Sequence, residues 1–241
     1  MAGAVAAEVR LLGGWWLEPV SARTQVGPAT QRLIALLGLR GAQSRRQAAR
    51  TLFPGHRDGA AAGRLRDLLS RALRADRVLA EVLAPGPDLA LDDRVSVDVH
   101  GLESAIEALR SGRVDAVPAL PREVDLLPGW SEAWVIEDRE RLRHNLSRAL
   151  KHCSAHCLRD GDLTGALVAA EYAVRLDPLD EQAARGLIRA HLAAGDPGPA
   201  LRRFRTLRSA LRDELGVEPE PATVTLVDGL GLDAALLSRS P

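Results

Sequence analysis

The second half of the chain repeats itself with a period of 34 residues: Leu158, Gly161-Asp162 and Ala166-Leu167 recur as Leu192, Gly195-Asp196 and Ala200-Leu201. A period of this length fits one helical hairpin per repeat. A single hairpin cannot bury its own apolar stripe, so neighbours must stack. The Gly-Asp pairs mark turns, and the alanines fall where paired helices approach closely. The pattern predicts helices over about 138–159, 163–176, 180–194 and 197–215, divided by Asp160-Gly161-Asp162, Asp177-Pro178 and Gly195-Asp196-Pro197.

The first half follows different periods. Val9 to Leu12 reads as a strand, Gly13-Gly14 interrupts it, and Trp15-Trp16-Leu17 reads as a second strand ended by Pro19. Residues 23–27 suggest a third. Leu33, Ile34, Leu36 and Leu37 then mark an amphipathic helix over about 29–39, stopped by Gly41. Ser44 suits the N-cap of a second helix that ends at Leu52, before Pro54. A third helix is expected over about 60–75. Val78 to Leu83 and Leu89 to Leu91, around Ala84-Pro-Gly-Pro-Asp88, suggest a hairpin, and Val95, Val97 and Val99 alternate as a last strand. Strands, three helices and a hairpin in this order predict a winged helix-turn-helix. The expected fold is mostly α with a small β component: a winged helix-turn-helix over 1–100, then a TPR-like all-α domain over 101–241.

Net charge is zero but unevenly placed. Residues 1–100 hold 14 Arg against 10 acids, and residues 101–241 hold 18 Lys+Arg against 22 acids. A basic first half suits nucleic acid and an acidic second half suits a protein partner. In the third helix, Leu65, Leu68, Leu69, Ala72 and Leu73 fall on one face, expected to point into the core with Leu65, Leu69 and Leu73 under the N-terminal strands. The opposite face centres on Gly63, Asp67, Ser70, Arg71 and Arg74, flanked by Arg64 and Arg66. Arg64, Arg66, Ser70, Arg71 and Arg74 are the candidate DNA contacts, because base edges and phosphates need such donors. Asp67 is the odd member, able to accept from a cytosine amino group or to pair with Arg71 four residues on.

Several short segments, in order, carry a family resemblance. They are Val9-Arg-Leu-Leu-Gly13, Thr30-Gln-Arg-Leu-Ile-Ala-Leu-Leu37, Thr51-Leu-Phe-Pro54, Leu65-Arg66, Leu127-Pro-Gly-Trp130, Glu140-Arg-Leu-Arg143 and, most specific, Leu211-Arg-Asp-Glu-Leu-Gly-Val-Glu-Pro219 ahead of Pro221-Ala222. With them the chain resembles the SARP-like regulators, in which an OmpR-type winged helix is joined to a bacterial transcriptional activator domain (BTAD). The resemblance implies binding to double-stranded DNA at promoters and activation of transcription, through RNA polymerase or a homo-oligomer. Two departures stand out. Relatives carry a run like Arg-Leu-Arg-Arg near the end of the third helix, where this chain has Ser70-Arg-Ala-Leu-Arg74. The hairpin turn, Ala84 to Asp88, has no cation.

Other patterns point away from chemistry. His152-Cys153 and His156-Cys157 have metal-ligand spacing, but the repeat sets Cys153 opposite Leu187, a packing position, and no metal is expected. Gly229-Leu-Gly231 after a β-like Thr223 to Val227 imitates a dinucleotide fingerprint without the following βαβ unit. Asn145-Leu-Ser147 spells a glycosylation site inside a helix. Trp130 and Trp134 are expected to pack at the start of the helical domain. No phosphate loop, nucleophile elbow or triad is present, so neither an enzyme nor a cofactor is expected. No apolar run of membrane-spanning length or signal sequence occurs, and the two cysteines one helical turn apart suit a reducing cytoplasm. The rival expectation is a TPR-like scaffold protein whose winged helix is degenerate and no longer binds DNA.

Overall fold

The computed structural model describes residues 7–19, 26–75, 77–121 and 123–228. Among the described residues the chain is mostly helical with one small sheet. It divides into two compact units: Met1–Glu103 with Pro121–Arg141, and Ser104–Leu120 with Leu142–Pro241.

The first unit begins with β1 (Ala7–Arg10) and β2 (Trp16–Pro19), paired antiparallel with Val9 opposite Leu17. Alternation sends Ala7, Val9 and Leu11 inward, while Glu8 and Arg10 pair with each other outside. β3 (Val95–Val97) joins the other edge of β1 in parallel, giving the order β2-β1-β3. Three helices follow β2. α1 (Pro28–Arg40) opens on a proline, whose fixed φ suits the first turn, and buries Leu33 through Leu37. α2 (Arg45–Leu52) starts on a complete capping box in which Ser44 and Gln47 exchange hydrogen bonds. α3 (Asp58–Ala75) buries Leu65, Leu68, Leu69 and Ala72, and packs on α2, α1 and the short α4 (Arg77–Val82).

The sequence misled at three places here. Residues 78–82 were expected in the first arm of a hairpin, but they are helical in α4, and Leu79 and Val82 are its buried residues. That i,i+3 spacing serves a helix as well as a short apolar run. Of the hairpin, a Leu83–Leu91 bridge remains, with Ala84 N–H donating to Ala90 O and Asp92 N–H to Val82 O. Val99 is not in the last strand but in α5 (Asp98–Arg110). The Asp98 carboxylate accepts from the Leu11 and Leu12 amides, tying the helix start to the end of β1. Leu73 is not buried: it is 49% exposed. Of the suggested third strand, residues 23–25 lie outside the described residues, and Val26 and Gly27 form none.

Leu127-Pro-Gly-Trp130 also belongs to this unit. Leu127 is fully buried at a positive φ of 45°, and its amide donates to Leu11 O. Arg139, in the first part of α6 (Ala133–Asp160), donates to the carbonyls of Leu126, Leu127 and Trp130. Trp130 stacks on Trp15, and Trp134 is buried.

In the second unit the 34-residue repeat is realised as two stacked hairpins: α6 from Leu142 with α7 (Leu163–Leu176), then α8 (Glu181–Ala193) with α9 (Pro197–Leu215). α10 (Pro221–Asp228) packs on α8 and α9. Equivalent positions behave alike. Gly161 and Gly195 take φ of 80° and 79°, a left-handed turn that only glycine enters at little cost. Asp162 and Asp196 amides donate to Cys157 and His191 carbonyls at the same 2.9 Å. Ala166 and Ala200 are wholly buried, as are Cys153 and, nearly so, Leu187. α10 covers Thr223 to Val227, which the sequence suggested as β-like; Thr223 and Val227 are its buried residues.

Candidate nucleic-acid interface

α2 and α3 set the geometry of the site. Asp58, the first residue of α3, receives Arg50 and Arg46 from α2 at 2.7 and 2.9 Å. Those two guanidinium groups hold its carboxyl well below the usual carboxylate range. The ion pairs fix the turn between the helices at its polar edge, while the leucines of α3 fix it from inside.

The expected contact residues are all accessible, but they form more than one group. Arg64, Arg66, Arg71 and Arg74 are exposed and Ser70 is half-buried. Ser70, Arg71 and Arg74 line one open concavity together with Asp67. There Arg74 donates to Ser70 Oγ at 2.6 Å, and Arg71 Nε donates to the backbone carbonyl of Asp67 at 3.2 Å. The cations therefore lie back along their own helix. Arg66 lies elsewhere, over a groove toward α2 that it lines with Arg45, Arg46, Asp58, Ala62, Leu65 and Leu69. At 3.6 residues per turn Arg64 and Arg66 are about 160° apart, on opposite flanks of the exposed arc.

Sequence reasoning overlooked Arg45 and Arg46. Their signal was present: the Ser44 cap places both in the exposed first turn of α2. What the sequence could not supply is the nearness of that turn to Arg66. The hairpin adds little charge, because its turn has no cation and Arg94, just beyond it, is paired with Asp92 at 2.8 Å.

The His-Cys pattern separates by face. Cys153 and Cys157 are buried, whereas His152 is exposed and His156 pairs with Asp160 at 2.9 Å. Burial, with Cys157 beside it, pushes the Cys153 thiol up to about 12. Among the described residues no three His, Cys, Asp or Glu side chains are grouped to hold a metal. Gly229 to Gly231 lie outside the described residues. Asn145 accepts from Arg110.

The second unit carries its most distinctive segment as structure. Gly216 caps α9, and Glu218 pairs with Arg208 and Arg212. Glu181 of α8 accepts from the Glu220 amide and the Thr223 hydroxyl, and Arg185 reaches Glu220 and Thr223. Leu211 to Pro221 is thus a cap and a polar clasp that fastens α10 to α8. Residues 123–230 match the family described as the bacterial transcriptional activator domain. Over those residues the chain resembles a bacterial transcriptional activator domain. Its likeness to SARP-like transcriptional regulators stands on that match together with the fold.

A solved structure of similar fold is Mycobacterium tuberculosis EmbR in complex with a low-affinity phosphopeptide. The two align with a TM-score of 0.61 at 18% identity, over 96% of this chain and 68% of that one. At this identity the likeness is one of fold. No curated protein matches the chain significantly. The activator domain match begins inside residues 121–141, so its first part packs in the first unit. Among the described residues no helix is long and apolar enough to cross a membrane.

Proposed function

We propose that this transcription regulator is a sequence-specific activator that binds promoter DNA through α3 and acts through its helical domain, in the cytoplasm and without catalysis. The observation that carries the reading is the exposed arc of α3. Four exposed arginines and a half-buried serine lie opposite Leu65, Leu68 and Leu69, which point in. Such a helix offers bidentate donors to guanine and phosphate. Arg45 and Arg46, at the start of α2, are placed to meet the flanking backbone. The activator domain supports activation, by touching RNA polymerase or a second copy of the chain.

Arg71→Ala and Arg74→Ala should each weaken binding to a selected duplex by about 1–3 kcal/mol while leaving the thermal melt unchanged. Gel-shift titration at several salt concentrations measures this. Wild-type affinity in both variants would remove α3 as the reader.

A second reading has a specific observation behind it. The hairpin is short, one of its expected arms is largely helical, and its turn has no cation. In that reading the first unit has lost DNA and the helical unit docks proteins as a scaffold. The slope of log affinity against log salt separates the two, because each neutralised phosphate contributes about −0.9. A flat, weak titration on every duplex favours the scaffold.

A further inference from the structure

We propose that Leu73 is a base-reading residue of α3 that recognises the 5-methyl group of thymine in the major groove. This rests on the DNA-binding reading above and deepens it.

The helix otherwise buries its large apolar residues. Leu65, Leu68, Leu69 and Ala72 are buried, and the charged side chains are out. Among the leucines of α3, Leu73 is the exception, 49% exposed. Its surroundings are the polar reading surface. Arg66, Ser70 and Leu73 follow one another at i, i+4 and i+7, which places them on one stripe of the helix. Arg74, the next residue, donates to Ser70. Toward α2 the same flank continues into the groove floored by Ala62, Leu65 and Leu69 and edged by Arg66.

The chemistry selects the ligand. Leucine neither donates nor accepts a hydrogen bond, so against a phosphate it would strip water and return nothing. Of the major-groove base edges, thymine alone among the four bases presents a methyl group, and apolar contact is how that group is read. α3 thereby has two reading modes. Ser70, Arg71 and Arg74 supply hydrogen bonds, and Leu73 supplies a methyl-sized contact. A cation at that position would bind any sequence more tightly, while leucine favours thymine.

The test uses the full chain and a random duplex library. The enriched duplex is resynthesised with each thymine replaced in turn by uracil, which removes only the methyl. At one or two positions the wild-type protein should bind the uracil duplex three- to fivefold more weakly, the worth of about one buried methyl. Leu73→Ala should lose a similar factor on the thymine duplex, melt at the wild-type temperature and be indifferent to the replacement. Leu73→Arg should also be indifferent, with a salt dependence steeper by about one phosphate. A methyl effect of equal size in wild type and Leu73→Ala overturns the assignment, as does no methyl effect at all. If a duplex is enriched and Arg71→Ala weakens it while every uracil duplex binds normally, DNA binding stands and the role of Leu73 falls. If no duplex is enriched, the DNA-binding reading itself fails.

Discussion

Asp58 shows how much one carboxylate governs at the proposed interface. It opens α3, where a negative charge meets the positive end of the helix dipole, and it occupies Arg46 and Arg50 of α2 at once. Both arginines are exposed, so the pairs add little stability. Their larger effect is electrostatic: one acid offsets two cations, of which Arg46 borders the groove beside Arg66. Asp58→Asn keeps the shape of the residue and removes the charge that holds both guanidinium groups. The expected outcome is tighter duplex binding, with a salt slope steeper by one to two phosphates. An unchanged slope would mean that Arg46 and Arg50 stay off the DNA. Asp67 acts differently, since Arg71 is held by its backbone carbonyl at 3.2 Å, a bond available at any helix position.

At the scale of the element, α3 separates what helical periodicity decides from what packing decides. Leu69 and Leu73 are four residues apart, and periodicity places both inward. Leu69 is 7% exposed and Leu73 is 49%. Leu69→Ala should cost about 2–5 kcal/mol in urea unfolding, because it opens a cavity against the neighbouring helices. Leu73→Ala should shift the midpoint by less than about 0.5 kcal/mol. Equal losses would mean that the face of α3 has been assigned wrongly. The helical unit has its own internal device. Lys151, the one lysine of the chain, donates to Asp180 at 2.6 Å, and Asp180 caps α8 through the Ala183 amide. Burial pushes that carboxyl up, but Lys151 and the cap amides outweigh it and hold it below its ordinary value.

For the whole molecule, the compact units give a truncation test. Leu127, Trp130 and Trp134 pack in the first unit, where Asp138 pairs with Arg40 and Glu132 with Arg32. We propose that the DNA reader needs this segment as well as residues 1–100. A fragment of residues 1–141 should then melt cooperatively. A fragment of residues 1–100, lacking the partners of Leu11, Trp15 and Arg40, should melt lower by well over 5 °C or fail to melt cooperatively. Identical melting of the two would show that the segment is dispensable. If the longer fragment binds DNA as the full chain does but drives no reporter, activation belongs to the helical unit.

The sequence by itself determined α6 to α9, because a 34-residue repeat with Gly-Asp turns marks two like helical hairpins that must stack. It also determined α1, α2 and α3 and the cap at Ser44, where local signals act within one turn. Tertiary structure decided the rest. It drew residues 78–82 into a helix, since a short apolar run carries no period of its own, and it left Leu73 in solvent although its spacing pointed inward. It brought Arg45 and Arg46 beside Arg66, and Leu127-Pro-Gly-Trp130 against β1, across separations that no local pattern encodes. Periodicity reports which side of an element is apolar. Only the neighbours that reach that side decide how much of it is covered, and hence which of these residues remain free to read a ligand.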